Sequence, residues 1–197
     1  MVPPLIVLAS TSRYRRQLLE RLRLPFEVHA PQVEEAPLPG ETPRATALRL
    51  ARTKAQDVAM RFSGAIVIGS DQTLDLNGQS LGKPLAHDAA LAQLQSLQGR
   101  TVVFYTALAL AGPGTDKFQL DCVPTTVTFR TLPSVQLEAY LRADQPYDCA
   151  GAAKIESLGV ALVEAVESDD PTALIGLPLI RLTSMLASAG IDVLACP

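Results

Sequence analysis

A short, unbroken apolar run, residues 65–69 (Ala-Ile-Val-Ile-Gly), constrains the fold more than any other feature of the chain. A run of this length without polar alternation is typical of a strand that is buried on both faces, which places it in a sheet covered by helices. The polar segment Ser70-Asp71-Gln72 follows at once. A carboxylate at the carboxyl end of such a strand stands where open α/β sheets bind their ligands, and Gly69 permits another part of the backbone to approach closely.

The periodicity of apolar residues and the positions of turn residues predict a mixed α/β fold. Asn77-Gly78 between two short apolar segments is a strong hairpin signal, and Gly112-Pro113-Gly114 is expected to join two long strands. Strands are predicted at residues 5–9, 26–30, 65–69, 74–76, 79–81, 101–110, 117–130 and 160–166, and helices at 13–22, 43–61, 87–97, 134–142 and 178–189. We therefore expect a mixed, bent central sheet with flanking helices around a cleft. Residues 1–197 are predicted to form one domain, either as a single body or as two lobes around that cleft.

Composition and charge exclude several classes of protein. The longest apolar runs, such as residues 106–112, are far shorter than the roughly 20 residues of a membrane span, and the amino terminus lacks the basic region of a secretory signal. The net charge of −3, the absence of Trp and an aromatic content of 5% argue against a nucleic-acid-binding protein. Three cysteines without paired spacing indicate neither a disulfide framework nor a zinc site. We expect a cytoplasmic protein that binds neither membranes nor nucleic acid.

Basic residues concentrate at the start of the first predicted helix. Five arginines and one acid, Glu20, lie between residues 13 and 23. The free N–H groups of a helix start, together with arginine side chains, form a good site for a small anion. The alternative is an ordinary solvated basic face of an amphipathic helix.

Three further charged positions are candidates, each with a plainer alternative. Glu34-Glu35 lies in a Pro-rich loop, where paired carboxylates either face water or hold a divalent cation. Lys54 lies among alanines of the second predicted helix, from which it either reaches a ligand or extends along the surface to solvent. The hairpin can bring Lys83 near Asp71; otherwise Asp71 caps a turn and Lys83 forms a surface ion pair of little consequence.

Two segments rich in small residues complete the list. Residues 148–159 have small and polar side chains that suit packing against a flat ring, although a plain surface connection explains them equally well. Gly176-Leu177-Pro178-Leu179 is interpreted as structural, because it shapes the start of the last predicted helix.

Taken together, these segments resemble the Maf family of nucleotide pyrophosphatases over roughly residues 5–186. The resemblance depends on seven motifs in order, of which each alone is weak: Leu-Ala-Ser-x-Ser-x-x-Arg-Arg at 8–16, the acids at 34–35, Lys54-Ala55, Gly69-x-Asp71, Gly82-Lys83-Pro84, Ala150-Gly151 and Gly176-Leu177-Pro178. The resemblance implies a Maf/ITPase-like fold and a homodimer. It also implies hydrolysis of a nucleoside triphosphate between the α and β phosphates, with a divalent metal cation (Mg, Mn or Co).

The same resemblance assigns roles to individual residues. Asp71 matches the catalytic acid, which either accepts a proton from the attacking water or helps to hold the metal. Glu35 matches an acid that positions metal or water. Positions that bind phosphates are matched by Ser10, Arg15, Arg16, Lys54 and Lys83. Such a set is chemically sensible, because phosphoryl chemistry depends mainly on alignment and neutralisation of charge.

Three positions favour the branch of the family that acts on 7-methyl-GTP. Tyr14, Gln72 and Glu156 stand where that branch has an aromatic residue, Gln and Glu, whereas the dTTP/UTP branch usually has Arg, Thr and Gln. Methylation at N7 makes guanine cationic, so Tyr14 can stack on it with a cation–π attraction of about 0.5–2 kcal/mol. Glu156 can accept hydrogen bonds from the N–H edge of guanine, and Gln72 can bridge by hydrogen bonds.

Some positions depart from the family pattern, and two other functions remain open. Thr53 stands where an acid usually precedes the Lys-Ala pair, and Ala152-Ala153 replaces larger, often aromatic residues, which would widen the base pocket. The first alternative function is that of a dTTP/UTP pyrophosphatase. The second is that of a nucleotide-binding septum regulator that does not hydrolyse its ligand.

Overall fold

The computed structural model describes residues 4–112 and 118–195, which form a mixed sheet of seven strands flanked by helices. In chain order the strands and α-helices are β1 (Ile6–Ala9), α1 (Arg13–Glu20), β2 (Phe26–His29), α2 (Pro43–Ala59), β3 (Ile66–Leu76), β4 (Gln79–Leu81), α3 (His87–Leu97), β5 (Thr101–Ala111), β6 (Gln119–Phe129), α4 (Ser134–Asp144), β7 (Val163–Ser168) and α5 (Leu179–Ser188). Short 3-10 helices lie at Ala150–Ala152, Leu158–Leu162 and Ala173–Ile175.

The sheet combines parallel and antiparallel pairing, as predicted. The strand order is β2-β1-β3-β5-β6-β7, with β4 paired to β3. β1 is parallel to β2 and β3, whereas the neighbouring pairs β3–β5, β5–β6 and β6–β7 are antiparallel. The predicted hairpin joins β3 to β4, and both turn residues, Asn77 (φ 55°) and Gly78 (φ 83°), adopt the left-handed conformation that a two-residue turn of this type needs.

Two predicted strands differ from the structure in their boundaries, and one predicted turn cannot be compared. The strand predicted at 65–69 continues through the polar residues to Leu76, because β5 pairs with it from Val67 to Asp75. The strand predicted at 160–166 begins only at Val163, because Leu158–Leu162 forms a 3-10 turn that buries Leu162. Most of the predicted Gly112-Pro113-Gly114 turn lies outside the described residues.

Helices cover the sheet on both faces. α1 and α5 contribute Leu18, Leu19, Leu182 and Leu186 to one apolar cluster, which includes Ile66 and Ile68 of β3. A second region of the core lies around α3 and α4, at the far ends of β3, β5 and β6. The long strands β3 and β5 therefore run through more than one part of the core.

The opposite face of β3 packs unusually closely against α2. A Cβ atom on Gly69 would lie 2.8 Å from the Cβ of Ala55 and would also collide with the carbonyl oxygen of Ala51. The predicted close approach at Gly69 is thus confirmed, and small residues of α2 make room for it. The same approach brings Lys54 next to β3.

β3 changes its neighbour part of the way along its length. Its pairing with β1 ends at Gly69, and its pairing with β4 begins at Leu74. Residues 70–73 therefore lie in an interval between the two partners, while β5 pairs with them on the other side. Because side chains alternate between the faces of a strand, this interval exposes groups from both faces of the sheet to one opening.

No helix in residues 4–112 or 118–195 is both long enough and apolar enough to cross a membrane.

Candidate active site

A cleft of about 430 Å³ opens at this interval of β3. It is bounded by the start of α1, by the loop before α2, by α2 itself, by the end of the β3–β4 hairpin and by residues 148–156 and 174–176. Nine of the predicted site residues line it: Ser10, Tyr14, Arg15, Glu35, Lys54, Asp71, Gln72, Lys83 and Glu156. Residues that are far apart in the chain thus share one hollow.

The deepest charged groups form a chain of ion pairs, centred on Lys54. The Nζ atom of Lys54 lies 2.7 Å from Oδ1 of Asp71 and 2.8 Å from Oε1 of Glu35. Lys54 is only 4% exposed and Asp71 only 7%, whereas Glu35 extends from the loop into solvent. Asp71 is therefore not a turn cap, because its carboxylate is buried against an ammonium group in the middle of a strand.

Burial and neighbouring charges act in opposite directions on these carboxylates. Burial raises the pKa of Asp71 above its ordinary value, although the charges of Lys54 and Arg15 oppose this increase. Burial also acts to raise the pKa of Glu35, but the hydrogen bond and charge of Lys54, with the charges of Lys83 and Arg15, lower it below its ordinary value. Asp71 thus has the higher proton affinity that suits a proton acceptor, and Glu35 remains a carboxylate.

Arg15 is held in the cleft by a backbone carbonyl. Its Nε atom donates to the carbonyl oxygen of Gly176 at 2.9 Å, and burial lowers the pKa of the guanidinium. This bond uses one of the five N–H donors, so the two terminal amino groups remain for a ligand. Ser10 and Ser12 shape the same corner: Oγ of Ser10 accepts from the N–H of Ser12, and Oγ of Ser12 caps α1 by accepting from the N–H of Arg15.

Arg16 is the one predicted phosphate-binding residue that does not line the cleft, and its role in phosphate binding stays a prediction. Its side chain is 63% exposed and donates to Glu20, one turn further along α1, at 3.0 Å. Consecutive helical residues point about 100° apart. Arg15 faces Gly176, whereas Arg16 projects from α1 in a different direction, toward Glu20.

Lys83 lies at the opposite wall of the cleft, on the segment that follows β4. The hairpin brings it close enough for its charge to lower the pKa of Glu35. Lys83 and Asp71 therefore line the same cleft. Its side chain is exposed, in contrast to that of Lys54.

Gln72 is fixed in one orientation by its surroundings. Its Nε2 donates to Oγ1 of Thr106 at 2.9 Å and to the carbonyl oxygens of Ala173 and Leu174 at 3.1 and 3.0 Å. Two carbonyl oxygens can only accept, so the amide nitrogen must face them. The Oε1 atom is the part of Gln72 that is left to serve the cleft as an acceptor.

Tyr14 lies at an acidic rim of the cleft, which we define by Asp148 and Glu156. The Tyr14 hydroxyl accepts from Arg13 at 2.6 Å and donates to Asp148 at 3.3 Å. Burial raises the pKa of Tyr14 to about 12, and partial burial also raises the pKa of Glu156. The rim therefore has an aromatic ring beside two carboxylates.

The two departures from the family pattern have different surroundings. The Thr53 hydroxyl donates to carbonyl oxygens of its own helix, those of Arg49 and Leu50, and Thr53 is not among the residues that line the cleft. Ala152 is fully buried in the core around α3 and α4, whereas Ala153 lines the cleft. Only Ala153 can therefore affect the width of the base pocket directly.

The sequence did not identify several residues that organise the cleft. Gly176 was interpreted as structural, yet its carbonyl oxygen binds both Arg15 and the buried hydroxyl of Ser70, each at 2.9 Å. Thr106 and Asp148 also contact predicted site residues. A backbone carbonyl has no signature in a sequence, and only the motif Gly176-Leu177-Pro178 marks this turn.

The carboxylates can accommodate a divalent cation of the type that binds with few protein ligands. Across residues 4–112 and 118–195, no group of three or more His, Cys, Asp or Glu side chains could by itself hold a metal. Glu35 and Asp71 each use one oxygen for Lys54 and lie on either side of it. Mg²⁺ commonly binds through one or two carboxylates together with substrate phosphates, which this pair fits.

Comparison with known proteins finds matches over nearly the whole chain. Residues 5–189 match the family described as Maf-like protein. The 7-methyl-GTP pyrophosphatase of Thiobacillus denitrificans is 61% identical over 98% of this chain and 96% of the relative, and that of Burkholderia thailandensis is 57% identical over 98% and 92%. Among solved structures, a HAM1 protein from Coxiella burnetii matches 94% of this chain and 99% of its own, with a TM-score of 0.52 and 17% identity. The last likeness concerns the fold alone.

Proposed function

The chain belongs to the Maf-like protein family, and we propose that it hydrolyses 7-methyl-GTP to 7-methyl-GMP and pyrophosphate. The observation that carries this proposal is the convergence of Arg15, Lys54, Lys83 and Asp71 in one cleft from four separate parts of the chain. The names of relatives at 61% and 57% identity support the choice of substrate. Three cations, Arg15, Lys54 and Lys83, lie with Asp71 and Glu35 in the cleft, and Glu156 and Asp148 lie at its rim. This arrangement suits an anionic triphosphate attached to a cationic base.

At the phosphate end, the residues align a water molecule with the α phosphorus. Asp71 accepts a proton from that water as its oxygen bonds to phosphorus, and the bond from phosphorus to the α–β bridging oxygen breaks. The raised pKa of the buried carboxylate suits this role. Arg15, Lys54 and Lys83 neutralise the charge that develops on the departing pyrophosphate.

We further propose that a divalent cation, Mg²⁺, Mn²⁺ or Co²⁺, is held by Glu35 and Asp71. When bound, such an ion would supply positive charge that offsets part of the charge of the phosphates. Lys54 already contacts both carboxylates, so it remains beside them as a third charged group. Because Glu35 lies on a loop, its carboxylate can change position when the substrate binds.

At the base end, Gln72, Glu156 and Tyr14 are the groups proposed to contact the base. Gln72 offers its Oε1 atom, Glu156 offers a carboxylate, and Tyr14 offers its ring. The N–H edge of guanine supplies donors, and methylation at N7 adds a positive charge that the acidic rim attracts. A neutral pyrimidine would gain less from Glu156.

The proposal is tested by pyrophosphate release from 7-methyl-GTP, GTP, dTTP and UTP, with Mg²⁺, Mn²⁺ or Co²⁺ and after EDTA treatment. We expect the highest kcat/KM for 7-methyl-GTP and loss of turnover with EDTA. GTP isolates the effect of the methyl group. Faster hydrolysis of dTTP or UTP would show that the substrate assignment is wrong, and activity that survives EDTA would contradict the metal.

A matched variant tests the contribution of the acidic rim. Glu156→Gln keeps the shape of the side chain and removes its charge, so the preference for 7-methyl-GTP over GTP should fall about twofold to fivefold, the range of a partly exposed charge interaction. Equal losses for both nucleotides would indicate a role in packing instead.

A further inference from the structure

Asp170 is a buried carboxylate that the mechanism above does not use. It is 2% exposed and lies just after β7. Its Oδ1 accepts from the N–H and the hydroxyl of Thr172 at 3.0 and 2.7 Å, and its Oδ2 accepts from the N–H groups of Ile180 and Arg181 at 2.7 and 3.2 Å. One side chain thus joins the start of the turn at residues 172–177 to the first turn of α5.

The same turn is closed a second time by Thr172. Its hydroxyl lies 2.8 Å from the carbonyl oxygen of Leu177 and accepts from the N–H of Leu179 at 2.8 Å. The turn is therefore tied at both ends to groups that do not line the phosphate end of the cleft. Its backbone carbonyls are held in fixed positions as a result.

Those carbonyl oxygens accept hydrogen bonds from side chains at both ends of the cleft. The carbonyl of Gly176 accepts from Nε of Arg15 and from the hydroxyl of Ser70. The carbonyls of Ala173 and Leu174 accept from Nε2 of Gln72. A single turn thus orients the guanidinium proposed to bind phosphate and the amide proposed to bind the base.

We propose that Asp170 is a positioning residue for the reaction, which acts through the 172–177 turn on Arg15 and Gln72; this inference rests on the proposed function. Asp170 does not touch the substrate. It sets the direction from which Arg15 donates to phosphate and keeps Oε1 of Gln72 turned toward the base. Both the rate and the choice of base should therefore depend on it.

A helix cap would explain the bonds to Ile180 and Arg181 without any functional role. The two interpretations differ in what a mutation changes. Loss of a cap lowers stability and leaves the kinetics of the folded protein unchanged, whereas loss of positioning changes kcat/KM and base preference at temperatures where the protein is fully folded. Kinetics at such a temperature, checked by circular dichroism, separate them.

The central variant is Asp170→Asn, which preserves size but replaces one acceptor oxygen by a donor. Asp169→Asn is the matched control, because Asp169 is the exposed neighbour. We expect Asp170→Asn to lower kcat/KM for 7-methyl-GTP about tenfold and to reduce the ratio of 7-methyl-GTP to dTTP hydrolysis, since misplacement of a binding group costs rate. Asp169→Asn should change neither quantity.

A double-mutant cycle with Arg15→Gln tests whether Asp170 acts through Arg15. In the Arg15→Gln background, Asp170→Asn should cost clearly less than in the wild-type background, because only Gln72 remains of the two groups that it positions. Full additivity, or unchanged kinetics in the single variant, would overturn the inference. If Asp170→Asn does not fold, Thr172→Val replaces it in the cycle, since it removes the second closure of the turn and leaves the carboxylate.

Binding of inorganic pyrophosphate, measured by calorimetry, separates this inference from the proposed function. If the wild-type protein turns over no nucleotide, the proposed function fails. The same cycle on pyrophosphate affinity then still decides the positioning role: coupling between Asp170 and Arg15 upholds it, and additive effects or absence of binding overturn it.

Discussion

Asp71 is both buried and in contact with an ammonium group, and its role depends on that combination. Asp71→Asn keeps the shape of the side chain but removes its basicity. We expect kcat to fall by about 10²–10⁴, the usual contribution of a general base, while 7-methyl-GTP still binds. Pyrophosphate release and calorimetry on the same preparation measure the two quantities.

The control for Asp71→Asn is Glu34→Gln, which changes the exposed acid next to Glu35. A protein that only binds nucleotides would show no turnover in the wild type or in either variant. Binding of Mn²⁺ adds a further distinction: a variant that loses turnover but still binds the ion has lost a base rather than a metal ligand.

Arg15 and Arg16 are neighbours in the sequence with opposite surroundings, which makes them a matched pair. Arg15→Gln removes the guanidinium from the cleft, and kcat/KM should fall about 10-fold to 1000-fold, because a charged donor to phosphate is lost from a partly buried site. Arg16→Gln removes only an exposed ion pair with Glu20. Its kcat/KM should remain within about twofold of the wild type, since such pairs contribute little.

Equal losses in the two arginine variants would mean that the cleft is not the site of phosphate binding. Steady-state kinetics with 7-methyl-GTP give the comparison directly.

The contact between α2 and β3 is what places Lys54 beside Asp71. Gly69→Ala would insert a methyl group where Ala51 and Ala55 already lie, so α2 must move away from the sheet. We expect a loss of about 1–3 kcal/mol in the free energy of unfolding, as for other overpacked cores, together with a loss of activity. Urea denaturation and pyrophosphate release measure both effects.

Gly82→Ala is the control for stability, since a Cβ atom there meets no atom within 4 Å. If Gly69→Ala were as stable as Gly82→Ala, the close packing of α2 on β3 would not be important for the fold.

Besides the ion pair of Lys54 with Glu35, a second ion pair joins α2 to the loop that contains Glu35. It forms between Arg49 of α2 and Glu41, and its contribution to stability depends on pH. Oε1 and Oε2 of Glu41 lie 2.7 and 2.8 Å from Nε and Nη2 of Arg49, which lowers the pKa of Glu41 from 4.5 to about 2. Because the pKa in the folded state is depressed, the stabilisation is complete above pH 4.5 and is lost as pH falls to about 2. The Glu41 side chain is only 10% exposed, so we expect it to contribute about 1–3 kcal/mol.

The measurement is the free energy of unfolding of the wild type and of Glu41→Gln at several pH values. The difference should be largest above pH 4.5 and should vanish toward pH 2. A difference that does not depend on pH would show that Glu41 acts through packing alone.

The elements of the fold were largely predictable, because their signals are local. Apolar periodicity and turn residues located the five α-helices and both strands of the hairpin. β3 was predicted too short because its polar second half is stabilised by contacts that come from distant parts of the chain, such as those of Ser70 with Gly176 and of Thr73 with Pro43. Periodicity contains no information about such partners.

The site was predictable only in part, and for the same reason. Nine of the ten residues that the family resemblance assigns to the site line one cleft. The resemblance does not distinguish Arg15 from Arg16, which lie on different faces of α1. The role of the 172–177 turn stayed hidden because it depends on backbone carbonyls. A homodimer, a cytoplasmic location and the single domain stay predictions.

As a whole, the molecule surrounds its cleft with several parts of the core, so a bound ligand should stabilise all of it. Asp71→Asn with 7-methyl-GTP and Mg²⁺ provides a complex that does not turn over. At a ligand concentration of about 100 times Kd the free energy of unfolding should increase by about 2.7 kcal/mol, and the midpoint of thermal unfolding should rise by about 5–10 °C.

EDTA should reduce this increase in the unfolding midpoint, and UTP should produce a smaller one at the same concentration. An increase of equal size with EDTA present would argue against a cation at Glu35, the proposed carboxylate ligand that remains in this variant.

In residues 70–73 of β3, alternate side chains point to opposite faces of the sheet and contact different elements. Ser70 and Gln72 contact the turn before α5, while Asp71 and Thr73 contact α2. Inserting or deleting one residue there would exchange the two sets, turning the carboxylate toward carbonyl oxygens and the amide toward Lys54. We therefore expect that evolution can alter the nucleobase preference of this cleft by replacing side chains along β3, whereas a change in the length of that stretch would abolish chemistry and recognition together.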